Sequence, residues 1–328
     1  MDRSDAFARL CALACEATDA SDLEQLFSKV RDINDTDEGG HPPLWYAATE
    51  NPNLSVLRSL LDAKATVDVD MVEQAVMYNA NPAIARLLYA HVAPVGDEEL
   101  DELFLLAAAS NVHDELVRFF LHEGANPDAT MPMDLYPSDR EEGMESSEPD
   151  DIWWDAQQSV RQNALVVAMY ENPEPVSMVE SLLALKVNPN AIDSEGFPVL
   201  VHALDDARLV RVLVEGGADI DLTDESGMTA LMHACAADNN EVVMTLLGMG
   251  ADVRLLSHTH EGALHYALGC HLLENTEVIH ALIKAGCDVN QPDGDGLLPL
   301  DIARFNYCSQ EVIDLLERSG ARMGDDLS

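Results

Sequence analysis

The sequence predicts an all-α solenoid of roughly nine stacked helix pairs, linked by β-turn fingers and broken by one acidic insertion. Three observations predict it. Gly217, Gly250, Gly286 and Gly320 each follow an apolar run and stand 33, 36 and 34 residues apart, the period of a stacked repeat. An Asp-x-x-Gly turn precedes such runs at 37–40, 193–196, 224–227 and 293–296. Apolar residues make up 47% of the chain but aromatic ones only 5%, which suits Ala- and Leu-rich helix packing better than an aromatic β-sandwich.

The elements follow in order. Residues 1–34 form an N-terminal capping helix pair. Residues 35–130 hold repeats, of which 69–95 is degenerate: it keeps two helices and the stripe "ARLLYAH" but lacks the turn. Residues 131–163 are an acidic insertion. From 131 to 155 it carries nine acids against one base, Arg140, and its Pro, Ser and Gly break any periodicity, so a loop is expected. Trp153 and Trp154 close it, either by packing back on the array or as an anchor for a partner. Repeats resume over 164–323 with a C-terminal cap, and 324–328 is a tail. Within a unit, a first helix such as "TALMHACAAD" (229–238) leads to a second such as "EVVMTLLGMG" (241–250). There Val242, Val243, Leu246 and Leu247 make one apolar stripe, and Gly250 closes the helix in the left-handed conformation. Upstream, "LDAKATVD" (61–68), "HEGANPDA" (122–129) and "LKVNPNAI" (185–192) fill the same slot as the glycine segments.

This arrangement resembles the ankyrin repeat, whose pattern runs from an Asp-x-x-Gly turn through Thr-Pro-Leu-His-x-Ala and a Val-x-x-Leu-Leu helix to Gly-Ala-Asp-Val-Asn. "GMTALMHACA" (227–236) is read with a single departure, Ala230 for Pro. "EGALHYALG" (261–269) keeps Leu264, His265 and Ala267; "GLLPLDIAR" (296–304) keeps Pro299 and Leu300 but has Asp301 for His; "GHPPLWYAAT" (40–49) keeps Pro43 and Leu44. The resemblance covers nearly the whole chain and is densest from 190 to 323. It implies protein binding by the fingers and first helices on a concave face, with His265 bonding to neighbouring turns.

Charge narrows the partner. Sixty acids against 18 bases give a formal net charge of −42. Such a chain repels nucleic acid and anionic lipid and attracts a basic protein. The expectation is therefore a basic protein partner, with no direct nucleic-acid or membrane contact and a monomer when unbound. Adaptation to high salt is the alternative source of the acidity, and only four bases are Lys. The six cysteines show no CxxC pair and read as reduced thiols of a cytoplasmic protein. Asp2, Arg3, Asp5 and Arg9 crowd the apolar run "LCALAC", which argues against a secretory signal.

Each Asp-x-x-Gly turn also spends a middle position on an acid: Glu38, Glu195, Glu225 and Asp295. First-helix ends add Glu50, Asp205, Asp206, Asp238 and Glu274. With Trp153 and Trp154, the first eight of these acids are the candidate partner-binding residues; their alternative is a generally acidic, solvated coat. His258, His260, His265 and His271 cluster without the converging spacing of a metal site. Asp288, Asn290, Asp293 and Asp295 are out of register for a calcium loop. No phosphate loop, dinucleotide fingerprint or nucleophile elbow occurs, so neither enzyme activity nor a cofactor is expected. The functional expectation is an inhibitor or immunity-type protein that occupies a basic, nucleic-acid-handling partner; the alternative is a scaffold or effector-type adaptor whose acidity serves solubility or high salt.

Overall fold

The computed structural model describes residues 3–110, 114–132, 161–269 and 276–324. It divides into two units, Met1–Met131 with Tyr170–Glu174, and Pro132–Met169 with Pro175–Ser328. The first unit pairs α1 (Arg3–Glu16) with α2 (Ser21–Phe27), α3 (Pro43–Thr49) with α4 (Leu54–Asp62), α5 (Val69–Tyr78) with α6 (Pro82–Val92), and α7 (Asp97–Ser110) with α8 (Glu115–Glu123). First helices stack on first helices, α1 on α3, α5 and α7 in turn, and second helices likewise. The sequence dictates this. Short first helices rich in Ala, such as α3 with Ala47 and Ala48 buried, let backbones approach closely. Second helices bury one stripe each: Val56, Leu57 and Leu60 in α4, Ile84, Ala85 and Leu88 in α6.

The second unit holds α9 (Ala164–Glu171) up to Met169, α10 (Pro175–Ala184), a 3-10 helix Val199–Ala203 with α11 (Ala207–Glu215), α12 (Ala230–Ala236) with α13 (Asn240–Met249), α14 (Ala263–Gly269) with α15 (Thr276–Ala285), and α16 (Pro299–Phe305) with α17 (Gln310–Arg318). The stripe expected in α13 is present: Val242, Val243 and Leu246 are buried, and Leu247 is half-buried at its edge. The expected first helix after the 193–196 turn is only a 3-10 turn, Val199–Ala203: seven residues separate Pro198 from the α11 cap Asp206, against nine between Thr229 and the α13 cap Asn239. Short strands β1 (Thr130–Pro132) and β2 (Arg161–Asn163) stand at the two ends of the insertion. The insertion between them, Trp153 and Trp154 included, lies outside the described residues. Among those described, no helix is long and apolar enough to cross a membrane.

Side-chain amides tie several pairs to the one before. In the first unit Asn51 Nδ2 donates to the carbonyls of Ala14 and Ala17, both at 3.0 Å. Asn79 Nδ2 donates to Ala48 at 2.8 Å and Asn51 at 3.0 Å. In the second, Asn239 Nδ2 reaches Leu204 O at 2.7 Å and Asn306 Nδ2 reaches Leu268 O at 3.0 Å. These carbonyls end first helices and have no partner within their own helix, so the amides satisfy acceptors that burial would otherwise leave unpaired. A second row lies after the second helices: Asn190 Oδ1 accepts from Asp219 N at 2.7 Å, Asp221 Oδ1 from Asp252 N at 2.8 Å, and Asn290 Oδ1 from Arg322 N at 2.8 Å.

Candidate protein-docking surface

The fingers of the second unit form one row built on backbone geometry. In the 224–227 turn, Asp224 Oδ1 accepts from Ser226 N at 2.8 Å and Met228 N at 2.9 Å, while Gly227 sits at φ +76°. Asp193 and Asp293 do the same for their own turns, each accepting two backbone N–H groups. The left-handed slot is why the fourth position is Gly. Burial pushes the Asp224 carboxyl up, but the Met228 and Ser226 amides and the His233 imidazole outweigh it and hold it below the usual carboxylate range. His233 Nε2 donates to Asp224 Oδ2 at 2.8 Å, and His202 Nε2 to Asp193 Oδ2 at 2.9 Å. In the first unit Tyr46 Oη donates to Asp37 Oδ2 in the same position. This bond holds the Asp37 carboxyl down and pushes the Tyr46 phenol up to about 12.

One finger of the row, which carries His258 and His260, lacks the Asp-x-x-Gly pattern. At 257–260 Ser257 stands for the Asp and His260 for the Gly, yet the hydrogen bonds are the same: Ser257 N to Glu261 O at 2.8 Å and His260 N to Ser257 O at 2.9 Å. His260 takes φ +61°. Successive fingers are bonded: His258 N donates to Ser226 O, and Gly294 N to Thr259 O, both at 2.9 Å. Glu225 lays its stem over Gly196, where an added Cβ would come within 2.5 Å of its Cγ. The acid at a finger's middle position is therefore not universal, since this finger presents His258 and Thr259.

The predicted site residues fall into three groups. Glu38, Glu195, Glu225 and Asp295 are exposed at finger tips, and none is in an ion pair with a described cation. Asp205 is exposed beside them in sequence but on the first-to-second helix loop. Of the remaining acids, Asp206 and Glu50 are engaged and Asp238 is half-buried. Asp206, expected as a solvated carboxylate, caps α11 by accepting from Arg208 N at 2.8 Å and pairs with the Arg208 guanidinium at 2.6 Å, which holds it below the usual range. Glu50 Oε2 accepts from the Cys15 thiol at 2.8 Å, and this pushes the thiol up to about 11. Asp238 takes φ +58°, and its Oδ1 is buried without a partner among the described residues.

The helix loops carry what the sequence reading did not single out. Tyr78, Phe305 and Tyr307 are 56%, 79% and 92% exposed at first-helix ends, the places where only acids were sought. The register of the first helices also needs correcting. In "TALMHACA" two motif positions change, not one: the slot held by His265 in "GALHYA" is occupied here by buried Met232, and His233 lies one residue further, facing Asp224. His265 does bridge turns, accepting from Gly262 N at 3.0 Å and donating to Gln291 O at 2.9 Å. Burial pushes the thiols of Cys11 and Cys287 up, to about 11 and 12, and no described cysteine is bridged. His271 and Glu274 lie outside the described residues. Among those described, no group of three or more His, Cys, Asp or Glu converges as a metal site.

A family model described as ankyrin repeats matches in three copies, within residues 164–257 and 201–293. A putative ankyrin repeat protein of Rickettsia felis is 34% identical over 111 residues, 34% of this chain and 28% of its own length. The B-cell lymphoma 3 protein homolog of Mus musculus is 31% identical over 149 residues, 44% of this chain and 32% of its own. The E3 ubiquitin-protein ligase Ufd4 of Drosophila melanogaster is 32% identical over 130 residues, 39% of this chain and 5% of its own. The matched region thus spans less than a third of each of these relatives. Repeat period, finger geometry and these matches agree: residues 164–293 are ankyrin repeats, a protein-binding module.

Proposed function

We propose that this protein binds a basic protein partner through its acidic fingers and acts as an inhibitor or immunity-type protein that occupies that partner. The observation that carries the reading is the division of labour among the acids. Asp193, Asp224 and Asp293 are consumed by turn amides. Glu195, Glu225 and Asp295 have no such duty and stand exposed on a row fixed by backbone bonds. Rigid, like-charged groups on one surface add their fields, speed the approach of a cationic partner and repel polyanions. Exposed Phe305 and Tyr307 offer apolar contact in the same unit, as aromatic anchors do in interfaces.

The second reading, a scaffold or adaptor whose acidity serves solubility or high salt, has its own support. Glu180, Glu215 and Glu241 on second helices are as exposed as the finger acids. Affinity capture with the full chain at low and high salt, read by mass spectrometry, separates the two. A stoichiometric basic protein that is lost as salt rises supports the first reading. Partners of ordinary charge that survive high salt support the second.

A further inference from the structure

In the second unit each of the last fingers is covered on one side by the next, through the His258–Ser226 and Gly294–Thr259 backbone bonds. The first unit breaks this pattern. Finger 37–40 is followed by the degenerate repeat, whose chain runs from Ala65 to Asp68 and enters α5 without a turn. Where the next finger would lie there is a cleft of about 340 Å³. Gly40, His41 and Trp45 line one side, and Asp68, Asp70 and Gln74 the other. The Trp45 indole is held by the His41 imidazole stacked on it, with ring centroids 3.9 Å apart. Asp68 and Asp70 are exposed, and no described cation pairs with either. Asp68 Oδ1 also caps α5, accepting from Met71 N at 2.9 Å.

We infer that this cleft receives a cationic side chain, arginine or lysine, of the protein partner; the inference rests on the basic-partner reading and deepens it. An indole wall facing two carboxylates suits a guanidinium or ammonium on both counts: the ring attracts the cation and covers its stem, and the carboxylates neutralise it. Glu73, next in sequence to Gln74 of the cleft, feels the same carboxylates. Burial, with the carboxylates of Glu102, Asp70 and Asp68, pushes Glu73 up to about 7. A bound cation relieves that crowding. A cleft left by a missing finger also explains why the degenerate repeat departs from the pattern at its turn while keeping both helices.

The test uses the full chain, a labelled decapeptide of alternating Gly and Arg, and its uncharged twin of alternating Gly and citrulline. Binding is read by fluorescence anisotropy, and occupancy of the cleft by the Trp45 indole N–H signal, assigned by its loss in Trp45→Phe. The Arg peptide should bind and shift that signal, and the citrulline peptide should not. Asp68→Asn with Asp70→Asn, which keeps a good cap at 68, should weaken binding by about tenfold and abolish the shift. Glu215→Gln with Glu241→Gln, the same charge change on second helices, should alter binding by less than about twofold. Gln74→Arg, which places a cation in the cleft, should block the shift without unfolding the chain. An Arg peptide that binds while the Trp45 signal stays still, or losses equal in the two double variants, would overturn the inference and leave the basic-partner reading standing. An Arg peptide that does not bind at all would remove both.

Discussion

Lys64 and Lys186 show what single residues contribute to the repeat. They occupy the slot of the landmark glycines and take φ +73° and +71°, against +96° at Gly250 and +106° at Gly286. A side chain in that region costs about 1 kcal/mol. Lys186→Gly should therefore raise stability by roughly 0.5–1 kcal/mol, seen as a higher denaturation midpoint at unchanged slope; a lower midpoint would contradict it. Asp224 sets a pH window. Its carboxyl is depressed in the folded state, so its contribution is complete above the ordinary carboxylate value and lost as pH falls through the lower, folded one. Asp224→Asn should cost about 1–2 kcal/mol at pH 7 and flatten the acid limb of the stability curve, measured by thermal melts from pH 7 to 2. The turn acids were legible because Asp-x-x-Gly is a local pattern. Ser257 and His260 lack that pattern, and their turn rests on the backbone bonds it shares with neighbouring fingers.

At the scale of elements, the helix pairs are held by buried amides as well as by apolar stripes. Asn79 is 5% exposed and satisfies two carbonyls of the preceding pair. Asn79→Ala would leave both acceptors buried and unpaired, a loss of about 1–3 kcal/mol. A Tm lower by several degrees is expected, and an unchanged Tm would show that water replaces the amide. The stripes of α4, α6 and α13 follow from 3.6-residue periodicity, and the sequence reading located them. It passed over the amide row, although "NPN" at 51–53 and "NAN" at 79–81 are the same device: the first Asn bridges pairs, while the second caps the following helix and donates back to Thr18 or Pro52. Its long-range partners are set by stacking, which periodicity does not reveal. The capping role of Asp206 was not foreseen, for a related reason. A carboxylate before a helix is a cap when the next residues leave their N–H groups free, and the loop before α11 is too short for it to be anything else.

At the scale of the whole molecule the charge of −42 is shared between acids that shape turns and caps and acids with no structural partner. The account assigns binding to the second kind where they lie on fingers. The proposed sign of the partner's charge rests on composition and the proposed surface on the repeat, but aromatic residues at the helix ends were invisible because nothing local marks Tyr78, Phe305 or Tyr307 as exposed. The most direct measurement compares two triple variants within one unit, using the partner recovered by capture. Glu195→Gln, Glu225→Gln and Asp295→Asn remove finger charge; Glu180→Gln, Glu215→Gln and Glu241→Gln remove as much from second helices. Kd is measured for both across a salt series. The account predicts that the finger set weakens binding by about threefold to a hundredfold more than the control, with the difference shrinking as salt screens exposed charge. Equal losses at every salt concentration would contradict it, and the acids would then be a solvating coat.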